Sequence, residues 1–253
     1  MPPQPPHAIL PDPLPLPPIS AVTKTTTYNY YGPISPSLST SSSTFLSTCT
    51  NTNPQDAART ITAFLLASQK DCLGTAEQKA ACWLTVRVSK PSDAFQVPRW
   101  HQDGVMFPYD EGREGVVRSK YALTLAGPRT LILEGEQGGD VLRTLKEGEE
   151  RYYWWRGKGN GDGKREQKPS DEDLYEAEDL LRNWLAEEFK DKKRVSLEEG
   201  QVVRFSWGRE DSPVHSEPDL VGDRVFVTVL FGSEREVRSM CEWRCAEYGK
   251  VEW

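Results

Sequence analysis

Three side chains in this sequence have the types and the spacing of a metal site. His101 and Asp103 are separated by one residue, and His215 follows much later in the chain. Arg224 comes nine residues after His215 and opens the apolar run Val225 to Phe231. Two imidazoles and one carboxylate can occupy one face of Fe(II) and leave the opposite face open. The guanidinium fork of an arginine suits the carboxylate of an acidic cosubstrate. The pattern therefore predicts a mononuclear non-haem iron site beside an anion-binding arginine.

The same residues also have a simpler interpretation. Asp and Glu supply 38 of the 253 residues, so an acid two places after a histidine is expected by chance at some positions. In that case His101 and His215 are unrelated polar residues and share no ligand. The elements that carry them must decide, because a metal site requires strands that bring all three side chains together.

Composition indicates an acidic chain with a sizeable core. Hydrophobic residues make up 37% and the formal net charge is −7, which argues against a general nucleic-acid surface. No apolar stretch approaches the length of a membrane span. The five cysteines are odd in number and show no disulfide spacing, which favours a reducing compartment. Since no signal-peptide pattern is present, we expect a cytoplasmic or nuclear protein.

The first 53 residues differ in composition from the rest of the chain. Residues 1–18 are crowded with Pro, and residues 35–53 are mostly Ser, Thr and Asn. Such a segment buries too little apolar surface to offset its ordering entropy. We therefore expect a disordered tail over residues 1–53, of which residues 1–50 are dispensable for folding, followed by a folded domain over residues 54–253.

Periodicity and capping signals predict the elements of that domain. A helix should begin at Asn53-Pro54, a second at the capping box of Ser170 and Asp173 as an insert over about 170–190, and a third should close the chain. Strands are predicted at 82–88, 95–104, 120–126, 129–134, 151–155, 194–197, 201–207 and 224–231. Many short strands with helices among them predict a mainly β fold, a sandwich or barrel with helical buttresses.

The stretch from Glu199 to Phe231 resembles the C-terminal half of the Fe(II)/2-oxoglutarate-dependent oxygenase superfamily. In that group a glycine-led strand precedes the distal histidine, and a Gly-x-Arg, here ending at Arg224, opens the strand that holds the cosubstrate arginine. The segments Pro98 to Asp103 and Tyr121 to Leu133 also look like this group. The resemblance covers roughly residues 80–232.

This resemblance implies a double-stranded β-helix, a jelly-roll or cupin-like fold, with Fe(II) held by His101, Asp103 and His215. Arg224 would bind the distal carboxylate of the cosubstrate 2-oxoglutarate, and Tyr121 would be an additional donor. The implied reaction uses O2 to hydroxylate or oxidise a substrate, with decarboxylation of 2-oxoglutarate. One position departs from the pattern, because relatives often carry Ser or Thr two residues after the arginine and this chain has Phe226.

Two other functions stay open at the level of sequence. One is a cupin-like protein that binds metal without turnover, and the other is a scaffold whose Pro-rich tail and acidic helix bind partners. A buried arginine such as Arg224 favours the oxygenase, because a site that only holds metal has no use for it. The substrate, a small molecule or a peptide, and the oligomeric state are not identified. We expect the connection Gly104–Arg118, and the loop Gly157–Pro169, to control access to the site.

Overall fold

The computed structural model describes residues 5–92, 97–104, 119–135, 139–153, 155 and 169–248. The two connections expected to control access lie outside these residues, except for Gly104 and Pro169. The strands are β1 (His7–Ile9), β2 (Thr26–Pro33), β3 (Ala81–Ser89), β4 (Ser119–Ala126), β5 (Leu131–Ile132), β6 (Val203–Ser206), β7 (His215–Ser216) and β8 (Arg224–Gly232). The helices are α1 (Pro36–Cys49), α2 (Pro54–Asp71), α3 (Asp140–Tyr152), α4 (Asp171–Glu188) and α5 (Glu234–Tyr248), with a short 3-10 helix at Glu77–Lys79.

Two antiparallel sheets form the centre of the molecule. The main sheet has six strands in the order β1-β6-β4-β8-β3-β2. The small sheet pairs β5 with β7, and single bridges at His101 and Arg194 extend it on its two sides. The sheets face each other, since Ile132 of the small sheet packs in one cluster with Val203 and Phe205 of the main sheet. Antiparallel β structure with flanking helices agrees with the predicted fold class and is consistent with a cupin-like fold.

Alternate residues of the main sheet point to its two faces, which differ in chemistry. The helix-covered face packs against α1 and α2, and its strands contribute Leu84, Val86, Val88, Tyr121, Leu123, Leu125, Val225, Val227, Val229 and Phe231. The ligand face is the other one, which looks toward the small sheet. Its charged members are Arg87, Lys120 and Arg224.

The prediction of a disordered tail over residues 1–53 is wrong for residues 5–53. Strand β2 pairs with β3 along its whole length, and α1 packs against α2. Tyr31, Leu38 and Leu46 are fully buried. The N-terminal segment is therefore part of the same core as the rest of the chain, and folded structure does not begin at residue 54.

The serine-rich composition of α1 misled the prediction because its hydroxyls are satisfied within the helix. Ser42 donates to the carbonyl of Leu38 (2.6 Å), and Thr44 donates to the carbonyl of Thr40 (2.8 Å). Such bonds satisfy the hydroxyl groups within the helix, so these side chains need no contact with water. Leu38 and Leu46, two turns apart, then suffice to bury the helix against α2.

Several predicted elements are confirmed. Helix α2 begins at its cap, where the Asn53 side chain accepts a bond from the Gln55 amide (2.8 Å). Helix α4 begins with the reciprocal capping box of Ser170 and Asp173. Strands β3, β4 and β8 lie within a residue or two of the predicted runs, and α5 forms the closing helix. Of the predicted strands at 95–104 and 194–197, the described residues form only the single bridges at His101 and Arg194.

The predicted strand at 151–155 is wrong, because its first two residues end helix α3. The α3 residues Val141 and Leu145 face α4 and pack with Leu181 and Leu185. Gly148 allows the close contact, since a Cβ there would lie 2.6 Å from the Trp184 ring. The α3–α4 pair covers the outer side of the small sheet. No helix in the described part of the chain is both long and apolar enough to cross a membrane.

Candidate metal centre

His101 and His215 are antiparallel partners in the small sheet. The amide of His101 donates to the carbonyl of His215 (2.9 Å), and the amide of His215 donates back to the carbonyl of His101 (3.0 Å). The neighbouring residues Trp100 and Val214 point to the outer side and pack against α3 and α4. Because side chains alternate in extended segments, both histidines point inward, and their ring centres are 4.5 Å apart.

Asp103 lies against both imidazoles. Its Oδ2 is 3.2 Å from Nε2 of His215, and its Oδ1 is 3.8 Å from Nε2 of His101. One ligand atom from each of the three residues lies within 4.8 Å of the others. The structure therefore brings together the three residues that the sequence pattern selected.

A glycine fixes the chain immediately after Asp103. Gly104 has φ +82°, in the left-handed region that favours glycine, and a Cβ there would lie 2.5 Å from the amide nitrogen of Gly208. That amide donates to the carbonyl of Asp103 (3.1 Å). The turn at Gly104 thus ties Asp103 to the end of β6 and holds its carboxylate under the histidines.

Backbone carbonyls set the tautomer of both histidines. Nδ1 of His101 donates to the carbonyl of Arg99 (2.8 Å), and Nδ1 of His215 donates to the carbonyl of Pro213 (3.0 Å). A carbonyl can only accept, so Nδ1 carries the proton in each neutral ring and Nε2 keeps its lone pair. Nε2 is the atom that faces Asp103 in both rings. Metal-binding histidines use this arrangement, in which the second nitrogen is held by a backbone or carboxylate oxygen.

The electrostatics of the centre favour a neutral His101 and an ionised Asp103. Burial lowers the pKa of His101 to about 4, and the adjacent His215 adds to this effect. Burial alone would raise the pKa of Asp103, but Lys120 and His215 hold it well below its usual value. At neutral pH His101 and Asp103 are therefore in the protonation states that bind a metal ion.

Lys120 is a member of the centre that the sequence analysis missed. Its Nζ donates to Asp103 Oδ2 (2.7 Å) from the ligand face of β4, and it also lies over the Trp207 ring (5.4 Å). The next residue, Tyr121, was the one predicted to join the site. Since β4 is largely buried on both faces, its sequence has no clean polar alternation to show which of the two points inward.

The structure does not bring Tyr121 to the centre, and the expectation that it binds cosubstrate is corrected. Its ring lies on the helix-covered face in the cluster of α1 and α2. Its hydroxyl donates to Asp71 Oδ2 at the end of α2 (2.9 Å). The main sheet therefore separates Tyr121 from His101, Asp103 and His215.

Arg224 lies on the ligand face, at the start of β8, and is 2% exposed. Its Nε donates to the carbonyl of Pro128 (2.9 Å), and its Nη2 donates to Oγ1 of Thr130 (3.3 Å). Thr130 precedes Ile132 by two residues, and Ile132 is paired with His215. No described residue places a carboxylate within salt-bridge distance of Arg224. Burial lowers its pKa to about 10, so it stays charged at neutral pH.

The departure at Phe226 has a structural counterpart. The Arg224 guanidinium lies over the Phe226 ring at 4.2 Å from its centre. The aromatic ring therefore takes the place beside the arginine where a hydroxyl was expected, and supports the cation through its π face. Thr228, two residues further along the same face, is buried and supplies the next hydroxyl.

An aromatic side chain packs against one of the two histidines. The Phe205 ring stacks on His215 at 4.7 Å with an interplanar angle of 15°. Such packing restricts rotation of the imidazole and keeps its Nε2 directed at Asp103. The centre thus combines a rotationally restricted His215 with charged neighbours that include Lys120, on Asp103, and the buried Arg224.

Comparison with known proteins gives a structural likeness only. No protein-family model and no curated protein matches this chain. Solved structures that resemble it include two of the non-heme iron oxygenase OrfP, one of them in complex with Fe, succinate and (3R,4R)-dihydroxy-L-Arg. They are 15% and 14% identical to it, cover 60% and 61% of it, and superpose with TM-scores of 0.26 and 0.25. The likeness spans 58% of each OrfP chain. A superposition this loose carries no weight for the centre, which is assigned from its own side chains.

Proposed function

We propose that this protein is a non-haem Fe(II)/2-oxoglutarate-dependent oxygenase, and that its two facing sheets are those of a double-stranded β-helix. The observation that carries the proposal is the convergence of His101, Asp103 and His215. Both imidazoles present an Nε2 lone pair to the carboxylate, because both Nδ1 atoms are held by backbone carbonyls. Two nitrogens and one carboxylate oxygen on one side of an ion are the donor set of this class of iron site.

Arg224 favours an oxygenase over a protein that only stores metal. A buried cation without a carboxylate partner among the described residues is expensive unless an anion joins it. Thr130 accepts a hydrogen bond from the Arg224 guanidinium and lies two residues from Ile132, the partner of His215. Two residues of extended chain span roughly 7 Å. That separation is comparable with the length of a five-carbon diacid. We therefore assign Arg224 to the distal carboxylate of 2-oxoglutarate.

The side chains of this site bind, orient and exclude water. His101, Asp103 and His215 would hold the iron, and Arg224 with Thr130 would orient 2-oxoglutarate toward it. When bound, Fe(II) supplies the redox chemistry that couples O2 to the cosubstrate. The overall reaction releases CO2 and succinate, with one oxygen atom in succinate and the other in the oxidised substrate. Phe205 and Trp207 keep water from the side of the centre next to β6.

Metal content tests the ligand assignment. The parent protein should bind about one Fe(II) per chain under anaerobic conditions, and His101→Ala and His215→Ala should each abolish stoichiometric binding. The remaining histidine of the chain provides the matched control, since His7→Ala should bind iron like the parent. Iron binding that persists in both ligand variants would remove the proposed centre.

Cosubstrate binding separates the oxygenase from a metal-binding protein without turnover. Losing a charge-assisted contact costs about 1.5–3 kcal/mol, so Arg224→Gln should weaken 2-oxoglutarate ten- to a hundredfold in calorimetry while leaving the metal in place. Arg143→Gln, on the exposed surface of α3, is the control and should not change the affinity. A protein that binds iron but shows no 2-oxoglutarate affinity, or the same affinity in Arg224→Gln, would be a metal-binding protein of another kind.

A further inference from the structure

An ion cluster lies one step along the small sheet from the metal ligands. Arg99 precedes His101 by two residues, and Glu217 follows His215 by two residues. His101 and His215 are antiparallel partners, so Arg99 and Glu217 form the next cross-strand pair on the same inward face. Nη2 of Arg99 donates to Oε1 of Glu217 at 3.0 Å. The pair stands roughly 7 Å from the histidines along the strands.

A second arginine reaches the same carboxylate from the opposite sheet. Arg87 lies on the ligand face of β3, paired with Phe226 of β8, and its Nη1 donates to Oε1 of Glu217 at 3.3 Å. Both arginines therefore share one oxygen of one glutamate. Glu217 thus links the two sheets and holds both guanidinium groups near the metal centre.

The two guanidinium groups of the cluster share a single carboxylate as their hydrogen-bond acceptor. Arg87 and Arg99 are 45% and 55% exposed, and among the described residues each donates only to Glu217. A guanidinium has five N–H groups, so most of their donors remain available to a ligand. Asp103 and Glu178 also act on Arg99 and, with Glu217, raise its pKa in spite of burial, so the free N–H groups define this site more than a net positive charge does. Two partly exposed guanidinium groups with free donors are suited to a carboxylate or phosphate ligand.

One carboxylate oxygen of Glu217 accepts hydrogen bonds from both arginines, and the other has no hydrogen-bond partner among the described residues. This second oxygen, Oε2, is buried. A buried carboxylate oxygen without a partner is unfavourable, so its position requires a compensating role. Holding two arginines in one orientation is such a role, because long cationic side chains otherwise lose much rotamer freedom on binding.

We propose that Arg87 and Arg99, held by Glu217, form an anion clamp for the substrate. The substrate would carry a carboxylate or phosphate group, and the atom to be oxidised would lie about two residue lengths, roughly 7 Å, from that group. The site is distinct from Arg224, which is buried under Phe226 and held by Pro128 and Thr130. That the bound anion is a substrate rests on the proposed oxygenase function, whereas the binding of an anion by Arg87 and Arg99 does not.

The clamp can be tested with simple acids and their neutral partners. The probes are hexanoate, phenylacetate and phenyl phosphate, each compared with hexanamide, phenylacetamide or phenol in ligand-observed NMR with the full chain. The acids should bind and the neutral partners should not, which requires no mutation of the protein. Phenylacetate against phenyl phosphate then decides between a carboxylate and a phosphate as the preferred anion.

Variants locate the binding. Arg87→Gln and Arg99→Gln should each weaken the acids about fivefold, since each removes one partly exposed charged contact. Arg143→Gln is the control for losing an exposed arginine and should have no effect. Acids that bind equally well to both clamp variants, or that lose affinity only in Arg224→Gln, would overturn the clamp.

A paramagnetic ion tests the position of the clamp beside the metal. Co(II) bound at the metal centre should broaden the proton resonances of the bound acid, and Zn(II) should not. Binding without broadening would place the anion site elsewhere and overturn the proposal. Acid binding through Arg87 and Arg99 in a protein that binds no iron would retain the clamp and reject the oxygenase. Binding of iron and 2-oxoglutarate without binding of the acids would retain the oxygenase and reject the clamp.

Discussion

The two faces of the main sheet are made by the same strands but differ in chemistry, although the helix-covered face also holds one buried charge, Arg204 beside Asp71. On the helix-covered face, residues such as Leu84 and Val227 are fully buried against α1 and α2. On the ligand face, Lys120 contacts Asp103, and Arg87 and Arg224 carry charge next to the second sheet. One face therefore holds the fold together, and the other holds the groups that bind.

This division teaches that neighbouring residues of one strand have separable effects. Apolar burial supplies most of the stability of a domain, whereas burial of a charged group has an energetic cost. Substitutions on the helix-covered face should therefore lower stability and spare binding below the unfolding temperature. Substitutions on the ligand face should mainly weaken binding and leave the free energy of unfolding nearly unchanged.

Removing residues 1–50 should have the largest effect. The segment contributes six buried apolar side chains to the core, namely Leu10, Val22, Tyr31, Leu38, Leu46 and Cys49. A fully buried large side chain contributes about 1.5–3 kcal/mol, so the loss is comparable with the roughly 5–15 kcal/mol that stabilises a typical domain. The truncated chain should show no cooperative transition in thermal unfolding by circular dichroism. A melting temperature within a few degrees of the parent would show that the N-terminal segment is dispensable after all.

A pair of adjacent residues in β3 tests the two faces directly. Leu84→Ala, on the helix-covered face, should lower the free energy of unfolding in urea by about 2–5 kcal/mol, because it leaves a cavity in the core. Thr85→Ala, on the ligand face, removes one hydrogen bond to Asn29 (2.9 Å) and should cost only about 1 kcal/mol. Equal losses from the two variants would contradict the division between the faces.

Lowering the pH should destabilise the metal-free protein through His101. The pKa of this residue falls from 6.5 to about 4 on folding, so the unfolded chain binds more protons in this range. The contribution of His101 is fully present above pH 6.5 and is lost as the pH falls toward 4, by at most about 3 kcal/mol. Urea unfolding at pH 6.5 and about pH 5 measures this slope. His101→Gln should flatten it, and an unchanged slope would assign it to other groups.

Tyr121→Phe should have the smallest effect and sharpens the assignment of Tyr121 to the helix-covered face. The variant loses one hydrogen bond to the partly exposed Asp71, which should cost about 1 kcal/mol of stability. The affinity for 2-oxoglutarate should not change, because the ring points away from Arg224. A calorimetric loss of cosubstrate affinity without a loss of stability would return Tyr121 to the site.

Local sequence signals were sufficient wherever a structure depends on near neighbours. The caps at Asn53 and Ser170 predicted the starts of α2 and α4, since a cap is a bond between residues two or three apart. The spacing of His101 and Asp103 likewise marked both as candidate ligands, because alternate residues of an extended segment point the same way. The segment 151–155 failed because its aromatic residues favour a strand, while the contact of α3 with α4 decides for a helix.

The sequence by itself determined which residues are chemically equipped for the centre: His101 and Asp103 at strand spacing, a distant His215, and Arg224 nine residues after it. Only the tertiary structure decided what surrounds them. The pairing of His101 with His215, the arrival of Lys120 and not Tyr121, and the meeting of Arg87 with Glu217 are contacts between residues distant in sequence. The folding of the serine-rich segment belongs with these. Its few apolar residues are sufficient to order the segment only because β3 and α2 bury them.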